Sequence, residues 1–173
     1  MQKVRIALAS LGLAMILPTA STLFAQAPAA PIPSQILTAK RIFISNAGGA
    51  SDTKMWSGGP AQPYNELYAA LKSWGRYELV TTPADADLIL QISFTDTLTD
   101  VGGSQASGPV SFTTAQLNLD FLDLKTHVIL WTLNEKTSTG HLEKGRDQAL
   151  EKSINALVDD LKVLTAQPGA AAK

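Results

Sequence analysis

The chain has 173 residues, a formal net charge of −1 and no cysteine. Without cysteine it can form no disulfide, no thiolate metal site, no thiol nucleophile and no lipidated cysteine behind a signal sequence. A weakly acidic charge balance without a basic run argues against nucleic acid or anionic lipid as the main partner.

The N-terminus has the order of a secretory signal peptide. Lys3 and Arg5 form a basic region, residues 6–17 are almost purely apolar, and small residues follow. The apolar run is too short to span a bilayer, which takes ~20 residues, so we expect no stable transmembrane anchor. We assign residues 1–27 to the signal peptide and residues 28–39 to a Pro/Ala-rich leader, and we expect a periplasmic or secreted protein.

The first half of the remaining chain predicts a strand, a helix and two further strands. Residues 41–45 are β-branched and aromatic and precede a glycine pair, which predicts a strand that ends in a loop. Pro63 suits the start of a helix, and Gly75 suits its end. The apolar stripe of this helix consists of Tyr64, Leu67, Tyr68, Leu71 and Trp74. Residues 77–80 and 88–94 predict two short strands.

The second half predicts a long loop, a hairpin and a closing helix. Residues 95–109 are polar and contain glycine, which is typical of a loop. Strict alternation over residues 115–121 predicts a half-buried strand. A turn led by aspartate follows at residues 123–127, and residues 128–133 predict the antiparallel partner strand. An apolar helical stripe then runs over residues 150–164.

The order of elements predicts an α+β fold. We expect two layers, with an approximately five-stranded mixed sheet in the order β-α-β-β-β-β-α and both helices on one face. A helical crossover should link the first strand to a parallel neighbour. We assign a single domain to residues 40–165 and a flexible tail to residues 166–173.

Three segments resemble a group of bacterial exported α/β domains. They are the first strand and helix leading to residues 77–80 (YELV), residues 84–90 (ADADLIL), and residues 123–131 (DLKTHVILW). The group includes the curli-secretion lipoprotein, the penicillin-binding-protein activator lipoproteins, the TolB N-terminal domain and related uncharacterised periplasmic families. The usual lipidated cysteine is missing, and His127 stands where glycine is usual. The resemblance implies a non-catalytic envelope protein that binds or helps to assemble something.

Few residues point to chemistry. Residues 47–54 contain glycines and a lysine but match no phosphate-binding motif, and no cofactor or metal motif is present. Asp85 and Asp87 favour a turn and strand-edge role over a cation site, because no third oxygen ligand is near them in the sequence. His127 and His141 are the only histidines, and neither lies in a catalytic motif.

Trp56 is the candidate contact for a partner. It lies in a Gly/Ser-rich loop, where an aromatic residue is either a lid over the sheet edge or an exposed anchor. Both alternatives stay open at the level of sequence.

The sequence favours an exported binding or assembly module of the bacterial envelope, with residues 46–60 and 95–109 as its surface. The partner would be a protein or another envelope component, and the oligomeric state is open. The alternative is a hydrolase or other enzyme with an unrecognised site, which a cleft joining His141 to a buried carboxylate would favour. A third reading is a structural component of a larger oligomer.

Overall fold

The computed structural model describes residues 30–49, 55–100, 111–140 and 142–166. The main elements are, in chain order, α1 (Ser34–Thr38), β1 (Arg41–Gly48), α2 (Gln62–Trp74), β2 (Glu78–Val80), β3 (Leu88–Asp100), β4 (Ser111–Leu122), β5 (Ile129–Thr137) and α3 (Glu143–Ala166). The predicted signal peptide, most of the predicted tail, His141 and parts of two predicted loops lie outside the described residues.

The five strands form one open sheet in the order β2-β1-β3-β4-β5. β1 pairs in parallel with β2 and with β3, whereas β3, β4 and β5 pair antiparallel. α2 connects β1 to its parallel neighbour β2, as expected for a helical crossover. The predicted α+β fold, with helices packed on a five-stranded mixed sheet, is confirmed.

The core lies between the sheet and one layer of helices. α2 and α3 contact each other and the sheet, and their apolar stripes pack against alternate residues of the central strands. The largest fully buried side chains include Phe94, Phe121, Ile42, Leu67, Leu71, Leu88, Leu117, Leu119 and Leu150. Because each such side chain contributes ~1.5–3 kcal/mol when it leaves water, this layer dominates the stability of the fold.

The packed residues begin inside the segment that the sequence analysis assigned to the leader. Ile36 of α1 is completely buried and belongs to the core. The Gln35 side chain donates a hydrogen bond to Asp123 at 2.7 Å, and the Arg76 guanidinium donates one to the Leu37 carbonyl at 3.4 Å. These contacts attach α1 to the end of the sheet where β1 and β3 begin.

The predicted loop at residues 95–109 is wrong in its first part. β3 continues to Asp100, because residues 95–100 pair antiparallel with residues 111–116 of β4. β5 pairs with β4 only as far as Ala115, so the outer parts of β3 and β4 extend beyond it as a two-stranded arm. Polar composition misled the prediction, because a strand that protrudes needs no apolar alternation.

The apolar stripe of α2 lies where the sequence predicts it, but its residues are less buried than expected. Leu67 and Leu71 are fully buried and Gly75 ends the helix with a φ of 70°, as expected. Tyr68, in contrast, is 36% exposed, because it lies at the margin of the stripe and stacks on Tyr64. Trp74 and, on the edge strand β5, Trp131 are only partly buried against the core.

Candidate functional site

On the face of the sheet opposite α2 and α3, nine polar side chains of β3, β4 and β5 form a block that we call the polar grid. Side chains alternate along a strand and paired residues share a face, so the buried residues of β4 fix which residues point away from the helices. The polar grid consists of Gln116, Asn118 and Asp120 on β4, their partners Thr95, Ser93 and Gln91 on β3, and their partners Lys136, Asn134 and Thr132 on β5.

Hydrogen bonds between side chains hold the polar grid in place. Gln116 Nε2 donates to Asn118 Oδ1 at 2.6 Å, and Asn118 Nδ2 donates to Thr95 Oγ1 at 3.3 Å. On the neighbouring strand pair, Thr132 Oγ1 donates to Asp120 Oδ1 at 2.6 Å. A surface whose side chains are already ordered loses less conformational entropy when it binds.

An apolar row borders the polar grid on the same face, at the end where β1 and β3 begin. The apolar row has one member from each strand, namely Val80, Phe43, Ile89, Leu122 and Ile129. Ile89 and Leu122 are 7% and 9% exposed, whereas Ile129 on the edge strand is 53% exposed. Apolar residues next to polar groups are a common composition of protein interfaces.

Asp87 organises the start of the sheet rather than a ligand site. Its carboxylate accepts hydrogen bonds from the backbone N–H groups of Lys40 and Arg41 and from the Arg41 guanidinium, at 2.9–3.0 Å. These bonds, above all the one from the Arg41 backbone, lower the pKa of Asp87 to about 2. The predicted strand-edge role of Asp87 is confirmed. In the described part of the chain, no three acidic or histidine side chains are grouped as metal ligands.

His127 lies in the turn between β4 and β5, where it is exposed. Its φ is 58°, which is the left-handed backbone that the resemblance to a glycine position requires. Asp123 closes the turn by accepting bonds from the Thr126 hydroxyl and from the N–H groups of Thr126 and Lys125, and its pKa falls to about 2. These bonds and the left-handed backbone of His127 account for the shape of the turn. The enzyme alternative also needs His141, which lies outside the described residues.

Trp56 is buried, although it lies in a Gly/Ser-rich segment. Only 2% of the residue is exposed, because the ring packs edge-on against Phe94 with 5.1 Å between centroids. The segment is attached to α3 by a hydrogen bond of 3.1 Å from the Ser57 N–H to Asp147 Oδ1. Of the two alternatives, the lid is the one observed. Contact between Trp56 and a partner stays a prediction, and it now requires the segment to move away from Phe94.

Sequence reasoning found the outward-pointing residues of β4 but missed the polar grid as a unit. Period-two alternation placed Gln116, Asn118 and Asp120 on one face. The sequence alone does not reveal the register that aligns them with β3 and β5, because the pairing partners lie 12 to 29 residues away along the chain. The apolar row was hidden for the same reason, since each strand contributes only one member.

No protein-family model matches the sequence, and no curated protein matches it either. Several chains of known structure are similar in fold. A neuraminyllactose-binding hemagglutinin homolog from Helicobacter pylori is 11% identical with a TM-score of 0.44, and the alignment covers 75% of this chain and 88% of the other. For PelC from Paraburkholderia phytofirmans, a dodecamer, the identity is 11%, the TM-score 0.41 and the coverage 70% and 87%.

Lipoprotein GNA1162 from Neisseria meningitidis is 15% identical with a TM-score of 0.38, with 72% of this chain and 99% of the other covered. Bacterial lipoproteins are thus among the structurally similar proteins, but similarity at this level carries no argument about function. The likeness to the three families named from the sequence remains a resemblance and does not assign the chain to any of them. Within residues 30–166 as described, no helix combines the length and the apolar character needed to cross a membrane.

Proposed function

We propose that this chain is an exported, non-catalytic module of the bacterial cell envelope that binds a protein partner through the polar grid and the apolar row. The observation that carries the proposal is the asymmetry of the sheet. Both long helices pack on one face, whereas the other face presents ordered hydroxyl and amide groups beside an apolar row. A broad face of this composition suits another macromolecule better than a small molecule, which usually needs a concave pocket.

Export is the part of the proposal that rests on the N-terminus. Lys3 and Arg5 followed by the apolar residues 6–17 form the signal peptide that we assign to residues 1–27. We expect the mature protein in the periplasm or medium, shortened by about 25 to 29 residues. Mass spectrometry of each cell fraction measures this directly, and full-length chain found only in the cytoplasm would contradict export.

Photo-crosslinking in producing cells tests the binding surface. A photoreactive amino acid replaces Asn134, an exposed member of the polar grid, and in a matched variant it replaces Asp160, an exposed residue of α3 on the other side of the domain. We expect a discrete crosslinked product from position 134 and none from position 160. Mass spectrometry of the product then identifies the partner.

A charge variant completes the experiment. Asn134→Arg places a bulky cation on the uncovered face, and Asp160→Arg places the same side chain on α3. With the photoreactive group moved to position 132, we expect Asn134→Arg to abolish the crosslink and Asp160→Arg to leave it intact. Equal crosslinking in both backgrounds, or products only from position 160, would place the partner surface elsewhere.

A further inference from the structure

α2 and α3 run in the same direction and leave a groove between them. Glu66 lies beside Glu151 at one end of the groove, and Trp74 lies beside Lys162 at the other. The groove stays open because α2 lines it with Ala69, a small residue, and with Ala70 and Ser73. Its volume is about 580 Å³, which lies within the ~300–1,000 Å³ of typical small-molecule sites.

The floor of the groove is apolar and elongated. Ile154 and Val158 are buried in the core below it, and Ala70 and Trp74 line the α2 side. At 1.5 Å per helical residue, Glu66 and Trp74 are roughly 12 Å apart along the axis of α2. The floor therefore fits an extended hydrocarbon chain and is longer than the four-carbon stem of a lysine side chain.

One end of the groove is acidic and incompletely neutralised. Glu66 Oε1 accepts a hydrogen bond of 2.7 Å from Gln62, whereas Glu66 Oε2 is buried without a hydrogen-bond partner. Desolvation is the largest cause of the raised pKa of Glu66, and the nearby carboxylates of Glu151 and Asp147 raise it further. An incoming cation beside Glu66 and Glu151 would relieve the repulsion between the carboxylates.

The opposite end of the groove has two basic side chains and one acidic one near it. The Lys162 ammonium pairs with Asp159 at 2.7 Å and lies 6.0 Å from the centre of the Trp74 ring. The Arg76 guanidinium lies 5.8 Å from the same ring. A ligand with one positive end is therefore oriented, with its charge toward Glu66 and its apolar end toward Trp74.

We propose that this groove binds a linear aliphatic amine, with the ammonium group between Glu66 and Glu151 and the hydrocarbon chain along the apolar floor. The complementary charge at one end, the apolar floor and the length of the groove select this class of ligand. The groove lies on the helix side of the domain, so this inference is independent of the partner surface proposed for the uncovered sheet face.

Titration of the isotope-labelled full-length chain with hexylammonium, followed by NMR, tests the inference. We expect saturable shifts at Ala69, Ala70 and Asn155, with a Kd on the order of 1 mM for so small a ligand. 1-Hexanol has the same chain without the charge and should bind at least tenfold more weakly, and hexanoate should not bind. From butyl- to octylammonium the affinity should rise about two- to fourfold for each methylene.

Two substitutions locate the binding. Glu66→Gln combined with Glu151→Gln should raise the Kd at least tenfold, whereas Glu143→Gln, which removes a carboxylate of α3 that does not line the groove, should leave it unchanged. Ala69→Trp fills the groove from its exposed rim without touching the core and should abolish the shifts while the remaining spectrum keeps its native dispersion.

Several results would overturn the inference. These are the absence of saturable shifts in the groove, equal affinity for hexanol and hexylammonium, and unchanged binding in the Ala69→Trp variant. A lysine-containing peptide that binds more tightly than hexylammonium would also overturn it, because the site would then select a protein side chain. None of these results bears on crosslinking from position 134, so the two proposals fail separately.

Discussion

The two faces of strand β4 carry opposite chemistry although they share one backbone. Leu117, Leu119 and Phe121 are completely buried under the helices, whereas Asn118 and Asp120, between them, are half-exposed members of the polar grid. Packing dictates the residues of the first face, because a close-packed core tolerates few shapes. No comparable constraint acts on the second face, so its residues are available for recognition.

The largest expected effect is at the centre of the covered face. Phe121→Ala removes a completely buried ring and should lower the free energy of unfolding by ~3–5 kcal/mol, because the cavity cannot be filled by neighbouring side chains. Urea unfolding at pH 7 measures the change. A loss below ~1 kcal/mol would show that the covered face is less tightly packed than its burial indicates.

Trp56 tests whether a loop residue that is buried on the covered side stabilises the fold as a core residue does. Trp56→Ala should lower the free energy of unfolding by ~2–4 kcal/mol, somewhat less than a fully satisfied core tryptophan, since Trp56 Nε1 is buried without a partner. Trp56→Phe keeps a ring against Phe94 and removes the unpaired N–H, so it should cost less than ~1 kcal/mol. Equal losses in the two variants would mean that the indole makes a hydrogen bond in solution.

Among the described carboxylates on the helix side, Glu66 is the one whose burial raises its pKa and opposes stability at neutral pH. Its raised pKa means that the folded state holds the proton more tightly than the unfolded state does, so the contribution of Glu66 to stability is lost as the pH rises through the folded-state pKa. Because Glu66 is partly exposed and solvent screens its charge, Glu66→Gln should raise the free energy of unfolding at pH 7 by only a few tenths of a kcal/mol. The gain should shrink as the pH falls toward 4.5, the ordinary value. A gain that is constant with pH would contradict this explanation.

The smallest effect on stability is expected on the uncovered face. Asn118→Ala removes the central hydrogen bonds of the polar grid but no buried contact, so the free energy of unfolding should change by less than ~0.5 kcal/mol. The crosslink from position 134 should weaken, because the surface is no longer ordered. A large loss of stability with normal crosslinking would reverse the roles that we give to the two faces.

Much of the fold could be predicted from local patterns. Periodicity located α2, α3 and the β4–β5 hairpin, and Gly75 and Asp123 marked their ends correctly. The burial of Trp56 could not be predicted, because the Gly/Ser residues beside it give no sign of Phe94, which is 38 positions later in the chain and lies against it only in the folded sheet. The groove could not be predicted either, because in the sequence Ala69 and Ser73 look like ordinary exposed residues of a helix. They line a groove only because α3 packs beside α2.

The contacts of α1 place the start of the described chain at one end of the sheet. Ile36, Gln35 and the Asp87 bonds at Lys40 hold the incoming chain at the end of the sheet where β1 and β3 begin. β3 then runs 13 residues away from that end, so the tip of the β3–β4 arm lies roughly 40 Å from it. A label on α1 is consequently separated from the outer end of β3 by roughly 40 Å. Spectroscopic distances between such a label and Asp100 would report any bending of the arm without disturbing either face of the sheet.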